Sequence, residues 1–104
     1  MDSQLKKGAL ELIVLASLAH EPAYGGALLD RLTATGLALS AGTLYPLLTR
    51  MKKTGHITSH WEESPSGPPR KVYSLTPAGR ARAHHLASQW RALASIVDTH
   101  LKGL

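Results

Sequence analysis

A mainly α chain with a small β-hairpin is what this sequence predicts, and three observations predict it. Residues 4–20 and 77–102 carry apolar side chains at helical spacing, the first run closed by Pro22 and the last opened by Pro77. Residues 57–62 and 70–75 alternate and are rich in β-formers, with the turn cluster Pro65-Ser66-Gly67-Pro68-Pro69 between them. Residues 40–55 form a further helical pattern, with Ser40 at its head and Gly55 just past its last periodic residue.

In the first helix, Leu5, Ala9, Leu10, Leu12, Ile13, Leu15, Ala16 and Leu18 run almost all the way round. A chain of 104 residues makes one domain, and one domain this small cannot cover every side of such a helix. The uncovered face calls for a second chain. After Pro22, Ala23-Tyr24-Gly25-Gly26 leads into a second helix ending near Thr35, with Ala27, Leu28, Leu29 and Leu32 facing inward. Gly36 breaks it, and Leu37 and Leu39 then either form a short strand or plug the core. Two helices joined by a short glycine-containing turn form a helix-turn-helix unit.

The helix over 40–54 has two distinct faces. Leu44, Leu47, Leu48 and Met51 gather on one side at 100° per residue. Gly42, Pro46, Thr49 and Lys53 fall on the other, with Tyr45, Arg50 and Lys52 at its margins. A solvated helix normally mixes carboxylates among its lysines, and this one has none, so its basic, hydroxyl-bearing face suits a nucleic-acid groove. Pro46 removes a donor and crowds the carbonyl of Gly42, near the helix start where adjustment is easiest. An ordinary kinked amphipathic helix is the competing reading of this stretch alone.

Helix, hairpin and protruding basic loop in that order describe a winged helix-turn-helix. Thr76-Pro77-Ala78-Gly79 opens the last helix with Thr76 as N-cap. Along it Ala83, Leu86, Trp90, Leu93, Val97, His100 and Leu104 recur at spacings of three and four, a heptad-like seam with nowhere to bury itself in its own domain. This is the second argument for a symmetric dimer. The division expected is a winged helix-turn-helix unit over 1–76 and a C-terminal dimerisation helix over 77–104, joined as one structural unit. Leu5, Ala9, Leu12, Leu86, Trp90, Leu93 and Val97 are the expected dimerisation residues.

The net charge of +5 and a pI near 9.9 favour an anionic partner. Residues 1–39 hold three Lys/Arg against four Asp/Glu, 40–73 hold five against two, and 74–104 hold four against one. The excess begins with the helix at 40. The chain has no cysteine, which excludes disulfides and thiolate metal sites and fits a reducing cytoplasm. No apolar run reaches membrane-spanning length, so no membrane partner is expected. Six histidines supply no convincing ligand constellation: His56 and His60 share a strand face, and His84 and His85 are neighbours. No metal or cofactor is expected, and no nucleophile elbow or phosphate loop suggests an enzyme.

The segments GTLYPLL at 42–48, WEES at 61–64, GPPRKVYSLTPAG at 67–79 and LKKGALELIVLASLA at 5–19 together resemble the PadR family of bacterial transcriptional regulators. Their order and spacing match along nearly the whole chain, which resembles the short members with a single C-terminal helix. The resemblance implies a homodimeric DNA-binding regulator of repressor type on a pseudo-palindromic operator of double-stranded DNA. It places the helix at 40–54 in the major groove, making Ser40, Gly42, Thr43, Tyr45, Pro46, Thr49, Arg50 and Lys53 the expected DNA-binding residues. Tyr45 lies close to the apolar seam, so DNA contact and support both stand for it. Arg70 and Lys71 are the basic pair of the wing, where Arg70 is favoured because Lys71 faces the opposite way. Glu62 and Glu63 should face away from phosphate or pair with a base nearby.

Some members of the resembled family bind flat aromatic effectors at the dimer interface. That implies an effector site at Trp90, Leu93, Leu12 and Ala16, for a planar aromatic small molecule, against plain packing of Trp90. Trp61 is expected to pack between the wing and the body. The competing function is a winged-helix dimer that serves as a protein-interaction or small-molecule-sequestering module without specific DNA reading.

Overall fold

The computed structural model describes residues 2–104. The chain runs α1 (Ser3–His20), β1 (Ala23–Tyr24), α2 (Gly25–Ala34), α3 (Ala41–Lys53), β2 (Ile57–Ser64), β3 (Gly67–Leu75) and α4 (Pro77–Leu101). The strands form one antiparallel sheet in the order β1-β3-β2.

Each helix end has a local cause. Asp2 caps α1, its carboxylate accepting from the amides of Gln4 at 2.9 Å and Leu5 at 3.3 Å. At the other end the Arg31 guanidinium donates to the carbonyls of Ser17 and Glu21, at 3.1 and 3.0 Å. It thereby places a cation at the helix end where one is favoured and ties α2 to α1. Gly36, with φ of 97°, ends α2 in the left-handed conformation that side-chain-bearing residues avoid, and Gly55, at 82°, does the same after α3.

One core holds the unit together. Leu10, Val14, Leu15 and Leu18 of α1 meet Leu28 and Leu32 of α2 and Leu44, Leu47, Leu48 and Met51 of α3. Ala23, Ile57 and Tyr73 close it from the sheet side, and Leu37 fills it from the loop between α2 and α3. Leu37 and Leu39 therefore plug the core and form no strand. The third strand is Ala23–Tyr24 instead, pairing Ala23 with Tyr73 and Tyr24 with Val72. Two residues carry no periodicity, so β1 exists only because β3 offers it an edge.

The hairpin is longer and its tip tighter than the sequence suggests. Ser64 pairs with Gly67, leaving Pro65-Ser66 as the loop, and the prolines at 68 and 69 lie inside β3. A strand tolerates them there because the register slips between Glu62 and Ser64 and because β1 pairs only with residues 72 and 73, leaving the far edge of β3 open.

Helix α4 begins as the sequence predicts, the Thr76 hydroxyl accepting from the Gly79 amide at 3.0 Å. That hydroxyl also donates to the Gly55 carbonyl at 2.7 Å, while the Thr76 amide donates to the His56 carbonyl at 3.1 Å. The start of α4 is thus bonded to the residues that end α3. Ala83 and Leu86 pack on the core, and past them the large apolar side chains of the helix are exposed. The radius of gyration of 15.4 Å exceeds the roughly 13 Å of a compact chain of this length, and the longest dimension is 55 Å.

Candidate nucleic-acid interface

Helix α3 separates its faces as its sequence pattern requires. Leu44, Leu47, Leu48 and Met51 are buried, whereas Gly42, Thr43, Pro46, Thr49, Arg50, Lys52 and Lys53 are exposed. Pro46 leaves the helix continuous from Ala41 to Lys53. Ser40 holds the N-cap position with extended backbone, but its hydroxyl donates to the Thr43 hydroxyl at 3.2 Å and caps no amide. The expected capping role of its side chain is thereby corrected. The outcome is a pair of linked hydroxyls beside the positive end of the helix, where an anion is favoured. Thr49 donates to the Tyr45 carbonyl at 3.1 Å, a bond back to the preceding turn that holds its rotamer. No acidic side chain pairs with Arg50, Lys52 or Lys53 among the described residues.

Tyr45 does two things at once. It is 41% exposed, yet its ring lies against Gly25 so closely that a β-carbon there would overlap it. It also neighbours Tyr73: burial, and after it the Tyr45 phenol, push the Tyr73 hydroxyl above its ordinary value of 10.0. Tyr45 therefore supports the junction of α2, α3 and the sheet while keeping one edge in solvent.

On the wing, alternation divides the residues between two faces. Tyr73 and Lys71, with Ser59 and Trp61 opposite them, occupy the face that packs on the body. Arg70 and Val72, with Glu62 and His60 opposite, occupy the other. There the Arg70 guanidinium lies 4.3 Å from the centre of the Tyr24 ring, and His60 and Glu62 pair at 3.0 Å. Trp61 departs from expectation: it does not pack between wing and body but stays 67% exposed, with the Lys71 ammonium 5.4 Å from its ring centre. The hairpin reaches beyond the body at that point, so the strand face that buries Tyr73 is bare two residues further on.

Two side chains border this surface that the sequence reading left out of it. Trp61 is one, and Lys7 of α1 is the other. Lys7 lines a shallow hollow of about 140 Å³ with Thr43, Pro46 and Arg50. Its neighbour Lys6 is engaged elsewhere, donating to the Ala38 carbonyl. The Lys6-Lys7 pair was visible in the sequence, but only the packing of α1 against α3 brings Lys7 beside Arg50.

A second concavity of about 180 Å³ lies between α1 and α4, lined by Gly8, Ala9, Glu11, Leu12, Leu86, Gln89, Trp90 and Leu93. It gathers Trp90, Leu93 and Leu12 as the resemblance implies, while Ala16 lies outside its lining. At one side Arg82 meets Glu11 at 3.1 Å, and the Arg82 Nε is buried with no partner among the described residues. Leu5 and Val97 are exposed, Ala9 and Leu86 half-buried.

Three core helices, a helix-turn-helix pair with its second helix outermost and a hairpin beside it define a winged helix-turn-helix protein, here extended by a long C-terminal helix. The sequence profile of the transcriptional regulator PadR-like family matches residues 14–85. The chain belongs to that family, one of transcriptional regulators and not of enzymes. It is 34% identical over 100 residues to Transcriptional regulator Rv3488 of Mycobacterium tuberculosis, covering 96% of this chain and 90% of that one. A PadR family transcriptional regulator from Eggerthella lenta superposes with a TM-score of 0.88 at 37% identity, over 97% of this chain and 88% of the other. A PadR-like transcriptional regulator from Bacillus cereus superposes with a TM-score of 0.89 at 34% identity, over 98% and 100%. No helix among the described residues is long and apolar enough to cross a membrane.

Proposed function

We propose that this transcriptional regulator acts as a homodimeric repressor that reads a pseudo-palindromic operator, each protomer placing α3 in a major groove. The observation that carries this is the outer face of α3: hydroxyls, a slim Gly42-Pro46 strip and three cations, all exposed and, among the described residues, without a carboxylate partner. Thr43 and Ser40 suit a phosphate, Arg50 a guanine edge or a phosphate, and Lys53 a phosphate. The exposed stripe on α4 supports the dimer, which sets two reading helices about one turn of DNA, roughly 10 base pairs, apart or a multiple of it. A planar aromatic ligand between α1 and α4 near Trp90 would alter the separation of those helices and release the operator.

The test is a titration against duplex DNA from upstream of the chain's own gene, with a scrambled duplex as control, at two salt concentrations. Specific, saturable binding whose affinity falls steeply with salt is expected. Replacing Arg50 with alanine should weaken it by about 1–3 kcal/mol if the guanidinium meets a base. Binding to neither duplex would overturn the proposal.

A further inference from the structure

Trp61 is the large side chain that neither the fold nor the reading helix accounts for. A single exposed apolar residue needs no explanation by itself. Here, however, the indole shares its surroundings with a cation and with the face of the sheet that leads to α3. Tyr73 closes the same core that the buried face of α3 enters, α3 packs beside β2, and Lys71 and Trp61 continue the Tyr73 strand face toward the tip. The side of the wing that opens beside α3 thus carries Trp61 and Lys71. Arg70, which the sequence favours, lies on the opposite side over Tyr24, with Glu62 directly across from it.

We propose that Trp61 and Lys71 form one grip on the DNA backbone, a reading that rests on the DNA-binding function above. The indole offers a flat apolar face that fits the C–H surface of a deoxyribose, and the Lys71 ammonium beside the ring meets the adjoining phosphate. Neither group reads a base. Glu63 and the proline-containing tip follow Trp61 along the hairpin, and the Glu63 carboxylate keeps phosphate away from the tip. The grip therefore sits at mid-wing, where Lys71 is the cation on the α3 side.

The probes are the promoter duplex and a scrambled duplex of equal length. Replacing Trp61 with alanine should weaken binding to both by a similar factor, roughly tenfold, with the salt dependence unchanged. Lys71→Gln should lower the slope of log affinity against log salt by about 1. Tryptophan fluorescence should be quenched on binding in the wild type, the quench should be lost in Trp61→Phe, and that variant should keep most of the affinity. The urea midpoint of Trp61→Ala should match the wild type's; a large drop would show that Trp61 is a packing residue and overturn the grip. Unchanged affinity of Trp61→Ala for both duplexes, while the wild type binds the promoter, would overturn the grip and leave the function standing. A loss confined to the promoter duplex would assign Trp61 to base reading and equally overturn it. Wild-type protein that binds neither duplex would remove the function and the grip together.

Discussion

At the scale of single residues, the contact between Gly25 and Tyr45 makes a test of what holds α3 in place. A methyl group at position 25 overlaps a side chain, not backbone, so the ring can swing aside. Gly25→Ala should cost about 1 kcal/mol in urea unfolding, and the cost should vanish when Tyr45 is also alanine. A cost that persists in the double variant would mean that the strain lies in the backbone. Tyr73 supplies a second test, through pH. Its hydroxyl is held above 10.0 by burial and then by Tyr45, so the folded state keeps a proton that the unfolded chain gives up. The stabilisation is intact below that value and is lost as pH rises through the higher folded value. Unfolding at about pH 8 and pH 10.5 should show wild-type stability falling at the alkaline end, and Tyr73→Phe should flatten that fall. An identical alkaline loss in the phenylalanine variant would place its origin elsewhere.

At the scale of elements, the decisive joint is where α3 hands over to α4. Thr76 bonds to Gly55 and His56 together, and Gly79 is buried against the His56 carbonyl, where a β-carbon would overlap main-chain atoms. Main chain at the start of a paired strand cannot step aside as a tyrosine ring can. Gly79→Ala should therefore cost about 3 kcal/mol in urea unfolding, well above Gly25→Ala. A neutral outcome would show that α4 can ride up on its neighbour. The Thr76-Pro77 opening of α4 was plain in the sequence because a cap acts over three residues, and the faces of α3 were plain because every fourth or third position repeats the same chemistry. Strand β1 was hidden for the opposite reason: Ala23 and Tyr24 become a strand only by pairing with Val72 and Tyr73, about 50 residues away. Trp61 misled because a tryptophan among β-formers normally packs. Only the length of the hairpin, extended through Pro68 and Pro69, shows that it lies past the edge of the body. Lys7 likewise gained its place beside Arg50 from the crossing of α1 and α3, which composition along the chain does not encode.

At the scale of the whole molecule, the far half of α4 poses the largest energetic question. Trp90, Leu93, Ile96, Val97 and Leu101 expose between 45% and 57% of their surfaces along one projecting helix. Apolar area left in water forgoes roughly 25 cal/mol per Å², and a stripe of this length is what a second helix covers in a two-fold pair. Ile96 is the informative member, because it is not among the residues that line the α1–α4 cleft and belongs neither to the core nor to the side chains packed against it. Sedimentation should show the wild type as a dimer at micromolar concentration and Ile96→Glu shifted toward monomer, its far-ultraviolet circular dichroism still helical because the winged unit keeps its own core. The consequence for DNA follows from linkage alone. When one protomer holds its half-site, the second is presented to its own at an effective concentration in the millimolar range, so losing the dimer should weaken operator binding by about 10²–10⁴-fold. The contacts within each half-site are meanwhile untouched. A duplex carrying a single half-site should be bound nearly equally by wild type and Ile96→Glu. Equal affinity of the two proteins for the full palindrome would show instead that each winged unit works alone, and the exposed stripe would then need another occupant.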